Sequence, residues 1–172
     1  MQQINWFERK FNFDTEQNIF PSIVERLSDT PLRLENKIKS IDPGILEDRI
    51  NNTWSIKENV GHLIDLETLW QGRFEDIRNG KSALRPTDLQ NTKTDLANHN
   101  NNSIEELVGK FRIVRQHTIN LIENIDEEMV FKSAIHPRLK TPMRTMDLFL
   151  FVAEHDDHHL ARITEIAKNI DR

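Results

Sequence analysis

His155 and His159 stand four residues apart in the run Glu154-His155-Asp156-Asp157-His158-His159. On a helix this spacing puts two imidazoles on one face, about 6 Å apart along the axis, close enough to chelate one cation. At about 100° per residue both fall in the centre of an apolar stripe, flanked by Val152 and Ile163. His158 falls about 80° off that centre and reads as peripheral. Two imidazoles directed into a core need partners. One such histidine is more often a satisfied core residue than a ligand, so a third ligand decides. His62 lies within about 60° of the apolar centre of its own helix, beside Leu66 and Leu69. Three imidazoles from two helices form a metal-site pattern that leaves positions open for water or substrate. One divalent transition metal fits, and the ligand types do not choose between Zn, Ni, Fe and Mn.

Other polar residues fall near this centre. His136 precedes Pro137 in a connection that could overhang the site. His117 projects about 120° from its helix's apolar centre and reads as exposed, as does His99 in an Asn-rich loop. Arg115, Arg73 and Arg162 each sit on an inner helix face. A snorkelling side chain or an internal ion pair is one reading of each; an anion anchor near the metal is the other, because guanidinium suits carboxylates. Asp65 or Glu58 could orient the imidazole of His62, although surface exposure is the commoner fate of either and Glu58 is engaged by a cap. Glu67, Glu154 and Asp157 read as solvated.

Four amphipathic segments must position these residues. The first runs from about Phe20 to Ile41, with Phe20, Ile23, Val24, Leu27, Pro31, Leu34, Ile38 and Ile41 on one stripe. Pro31 either kinks this helix or opens a second one capped by Thr30, and Asp42-Pro43-Gly44 ends it. Ser55-Ile56-Lys57-Glu58 is a capping box opening a helix that Gly80 closes. Ser103-Ile104-Glu105-Glu106 opens a third, to about Ile125. The fourth spans about Thr145 to Asn169, its stripe running from Leu148 to Ile170. Residues 81–102 and 126–144 read as long connections, the first with a short helical turn near Asp88 to Asn98. The fold expected is all-α, a four-helix bundle with two long crossovers, in one domain over residues 1–172.

Composition narrows the function classes. The 172 residues include 5 Gly, 6 Pro and no Cys, with net charge −5. Few breakers favour long helices. Without cysteine there is no disulfide, thiolate ligand or cysteine nucleophile, which is compatible with a reducing compartment. Met1 to Lys10 holds no apolar signal-like core, and no run approaches the roughly 18 residues of a membrane span. A cytoplasmic protein is expected. The acidic balance lacks the positive footprint of a general nucleic-acid binder, so no nucleic-acid or membrane partner is expected.

Several stretches resemble the DinB/YfiT-like superfamily of metal-binding four-helix bundles. They are Trp54-Ser55-Ile56-Lys57-Glu58 leading to His62 and Asp65, His136-Pro137-Arg138-Leu139, and the run from Glu154 to His159. Asn5 to Phe11 and Val24-Glu25-Arg26-Leu27 extend the likeness over nearly the whole chain. The resemblance implies His62, His155 and His159 as metal ligands. Arg162 stands where many relatives carry Gln. It also implies a transferase activating a low-molecular-weight thiol toward a small-molecule substrate, and a homodimer. The aromatic N-terminus (Trp6, Phe7, Phe11, Phe13) could serve that contact or pack back on its own bundle. A metal lowers a thiol's pKa, supplying the nucleophile this chain lacks. Metal-assisted hydrolysis needs a general base, and no HExxH motif supplies one: Asp156 follows His155 near the stripe's edge. A metal-binding stress or interaction protein, or a metal-free hydrogen-bonded histidine core, are the remaining readings.

Overall fold

Ser55 and Ser103 each open a helix by the same exchange. The Ser55 hydroxyl accepts from the Glu58 amide while the Glu58 carboxylate accepts from the Ser55 amide, and Ser103 and Glu106 repeat it. Both satisfy amides that a helix start leaves free. The structure is a computed structural model that describes residues 3–51 and 53–170; the side chain of Ile170 and residue Met1, included in the sequence reading, lie outside the described residues. Its elements are α1 (Phe20–Lys39), α2 (Ile56–Arg78), α3 (Thr92–Leu96), α4 (Ile104–Ile122), α5 (Glu127–Phe131), β1 (Ser133–Ile135), β2 (Pro142–Arg144) and α6 (Thr145–Ile170). Gly80, at φ 69°, turns the chain away from the end of α2, a conformation that costs an L side chain.

The four long helices form the expected bundle. α1 and α2 each pack against both α4 and α6, so α1 lies across the diagonal from α2. The core divides into two clusters. One is built around Leu27, Phe74, Phe149 and Val152, the other around Leu34, Val60, Phe111 and Ile163.

Pro31 does not split the first helix. α1 continues through it. A proline removes the bond to the carbonyl four residues back, here that of Leu27. Arg115 Nη1 donates to that carbonyl at 3.2 Å. The proline therefore exposes an acceptor inside the bundle and a buried arginine fills it.

The crossovers hold more structure than their polarity indicates. α3 is the short turn expected in the first. The second, read as irregular, contains α5 and an antiparallel hairpin pairing Ala134 with Met143. Ile135 also bonds to the strand-like segment after α2, donating to Ser82 and accepting from Leu84 at 3.0 Å each. Strands of three residues carry too short a pattern to register, yet this hairpin sets His136 above the bundle. At the N-terminus Trp6 packs edge-on against Phe151 and His155, and Phe11 against Phe151. The aromatic N-terminus thus packs back on its own bundle, with Phe7 left exposed.

Candidate metal centre

His62 on α2 and His155 and His159 on α6 converge, each offering a ring nitrogen within 4.8 Å of the others. All three are buried. The Nε2 atoms of His155 and His159 are 3.2 Å apart. That is close to the separation of two nitrogens on one tetrahedral metal at about 2.0–2.1 Å.

The surroundings fix which nitrogen of two rings is free. Asn59 Nδ2 donates to the carbonyls of Ser55 and Trp54, at 2.7 and 3.3 Å, which leaves its Oδ1 as acceptor. His159 Nδ1 lies 2.9 Å from that oxygen and must donate to it, so Nε2 carries the lone pair. Thr94 donates its hydroxyl proton to Asp65 Oδ2 at 3.0 Å. The same hydroxyl accepts from His62 Nδ1 at 3.0 Å, which frees His62 Nε2. His155 Nδ1 is buried without a partner among the described residues. Two oriented imidazoles and a third whose Nε2 stands beside the free Nε2 of His159 fit a divalent ion held by three neutral ligands.

Burial holds all three rings neutral. It lowers His62 to about 4, and it lowers His155 and His159 well below the ordinary histidine range, helped by the neighbouring imidazoles. Neutral imidazole is the form that ligates a metal.

Asp65 acts on His62 through Thr94, an intermediary that helix geometry on α2 does not reveal. His99 corrects the sequence reading: it is buried, and its Nε2 lies 2.8 Å from Asp65 Oδ2. Burial alone would raise the Asp65 carboxyl; the bonds from His99 and Thr94 outweigh it and hold the group below its usual range. Gly61 makes this possible, because a Cβ there would collide with the His99 ring. A glycine inside a helix was the only signal in the sequence.

Other expected residues take different places. Arg115 is locked in an internal ion-pair cluster with Glu67 and Asp156, each at 2.6 Å, and none of the three lines the site cavity. Glu67 is therefore buried rather than solvated, and Asp156 is buried rather than at an edge. Glu154 and Asp157 are half-buried and pair with Arg26. Glu58 keeps its cap and binds Arg49. His117 is exposed, as expected.

A cavity of about 720 Å³ opens over the three histidines. Trp54, Trp70, Leu66 and Phe151 give it apolar walls, and His136, His158, Arg73 and Arg162 reach it. His136 and Arg73 are fully buried in its wall. Arg162 donates to Glu165 at 2.7 Å and to Thr53 at 2.9 Å. His158, read as peripheral, lines the cavity, and its Nδ1 has no partner among the described residues. Burial, with Arg9 and Arg162 nearby, lowers it to about 4.

Residues 12–163 match the DinB superfamily. The chain belongs to that superfamily. No curated protein matches it. Among solved structures, YfiT from Bacillus subtilis, described as a probable metal-dependent hydrolase with an unusual four-helix bundle topology, aligns with TM-score 0.80 at 18% identity, covering 95% of this chain and 94% of that one. A Streptococcus pneumoniae protein aligns with TM-score 0.68 at 14% identity, covering 90% and 92%. The colibactin self-resistance protein ClbS, solved in complex with double-stranded DNA, aligns with TM-score 0.68 at 15% identity, covering 90% and 98%. At these identities the likeness is one of fold. Among the described residues no helix is long and apolar enough to cross a membrane.

Proposed function

We propose that His62, His155 and His159 hold one divalent transition metal, in a single domain spanning the chain, and that the site transfers a low-molecular-weight thiol to an electrophilic small molecule. The carrying observation is the convergence of three neutral imidazoles on the floor of a cavity whose two carboxylates among the described residues are engaged. Glu165 binds Arg162, and Asp88 accepts from the Gln90 and Thr92 amides. Such a site needs a nucleophile brought in from outside. A bound divalent ion lowers the pKa of a thiol or a water, giving a nucleophile at neutral pH. The chain's own part is to hold and orient: Asn59 and Thr94 set the rings, and the tryptophans exclude water. In the transfer the thiol S–H bond breaks and its proton passes to solvent, the sulfur pair forms a sulfur–carbon bond, and the carbon's bond to its leaving group breaks, that group departing to solvent with the bonding electrons.

Hydrolysis is the second reading, favoured by the description of YfiT and by His158, whose Nδ1, without a partner among the described residues, could accept a proton. A base lowered to about 4 is a weak one, which sets this reading behind the first. The acidic net charge argues against nucleic acid, although ClbS was solved with DNA.

Metal analysis of tag-free protein tests the site. About one ion per chain, lost in His62→Ala, is expected; no metal after offering Zn, Ni and Mn would sink it. Metal-dependent loss of thiol with an electrophile then supports transfer, whereas ester cleavage without thiol supports hydrolysis.

A further inference from the structure

Arg73 is a buried guanidinium, 1% exposed, that forms no ion pair among the described residues. Its Nε donates to the Arg85 carbonyl at 3.1 Å, and its Nη1 lies 3.2 Å from His136 Nε2. Asp76, whose charge reaches it, is taken up by Arg85 at 2.9 Å and Lys81 at 2.8 Å. Buried charge without compensation is costly. The contact with His136 does not compensate it. His136 Nδ1 accepts from the amides of Arg138 and Leu139, at 3.2 and 3.1 Å, so the proton of the neutral ring sits on Nε2. Two donors therefore face each other with no acceptor between them. Arg138, in the same hairpin loop, has a buried Nη2 without a partner among the described residues. All three residues line the cavity, where, among the described residues, four basic side chains stand against two acidic ones in a chain of net charge −5.

We infer that Arg73, His136 and Arg138 form a subsite for the carboxylate of a small organic acid, with the apolar body of that acid against Trp70 and Phe151. A carboxylate accepts from several donors at once and matches a guanidinium in two-point contact. It resolves the facing donors and neutralises the buried arginine together. Trp70 continues the subsite toward the histidines: Arg73 Cζ is 5.5 Å from its ring centroid, and the His155 ring 5.7 Å. The inference rests on the proposed reaction only for what happens at the other end of the ligand. It names the substrate class as an acid whose electrophilic or thiol-bearing end lies over the three imidazoles.

Calorimetric binding of 3-phenylpropanoate and of its neutral amide, 3-phenylpropanamide, to the full chain with and without zinc tests this. The acid is expected to bind about 10-fold or more tighter than the amide in both states. Arg73→Met and Arg138→Gln should each remove most of that preference with zinc content unchanged. Arg138→Gln, in a loop, carries the test should Arg73→Met fail to fold. Equal binding of acid and amide would overturn the subsite. So would a preference that requires zinc and survives Arg138→Gln, which would put the carboxylate on the metal and leave the metal reading intact. A preference retained by protein that binds no zinc, and lost in Arg138→Gln, supports the subsite while sinking the metal reading. Inorganic phosphate that binds more tightly than the acid would overturn the carboxylate assignment.

Discussion

The imidazoles differ in how they are held, and so in what their loss should do. His155→Ala removes a nitrogen from the centre itself and should strip most metal, whereas exposed His117→Ala should leave the content of tag-free protein unchanged. Equal metal in His155→Ala and wild type would remove His155 from the site. Thr94 is the less obvious test, because its hydroxyl bridges Asp65 and His62 by hydrogen bonds. Thr94→Val should weaken metal binding about 10–100-fold, read by competition with a chromogenic chelator, because groups that orient a ligand carry that much affinity. An unchanged affinity would mean that packing against Trp54 alone orients the ring. His155 and His159 were legible as a pair because helical spacing puts them together. His99 was not, since its role depends on a loop reaching Gly61, one of the two α2 residues that have no side chain.

Among the elements, the buried cluster of Arg115, Glu67 and Asp156 ties α4 to α2 and α6, and through the Leu27 carbonyl to α1. Removing one member of a buried ion pair leaves charges without compensation and costs about 3–5 kcal/mol. Arg115→Leu should therefore lower unfolding free energy by about that much in a urea titration. Arg112→Leu, which removes an exposed partner of Glu35, should change it by less than about 1 kcal/mol. Similar losses in both would show that the cluster contributes no more than a surface pair. Helix starts were legible because a capping box is a local exchange between a residue and its third neighbour. Glu67 was misread as solvated: periodicity locates the apolar face of α2 but not which neighbour lies opposite a residue at that face's edge.

At the scale of the whole molecule, several histidines are kept neutral at once. His62 and His136 are lowered to about 4, in each case mainly by burial, and His155 and His159 lie well below the ordinary range. Unfolded, each titrates near 6.5. Between about 6.5 and 4 the unfolded chain binds protons that the native chain refuses. Stability is therefore full above about 6.5 and is lost as pH falls toward 4. Metal-free protein should lose roughly 1 kcal/mol per buried histidine between pH 7.5 and 5.5, seen as a lower Tm. A Tm that holds or rises on acidification would mean that these rings take up protons in the native bundle. The four long helices, the two capping boxes and the two α6 imidazoles were readable along the chain, because periodicity, capping and four-residue spacing are interactions within one element. The Thr94 relay, the seat of His99, the Arg115 cluster and the hairpin that carries His136 to Arg73 waited on the fold. Each joins residues tens of positions apart, and only the packing of one element on another decides which of them meet.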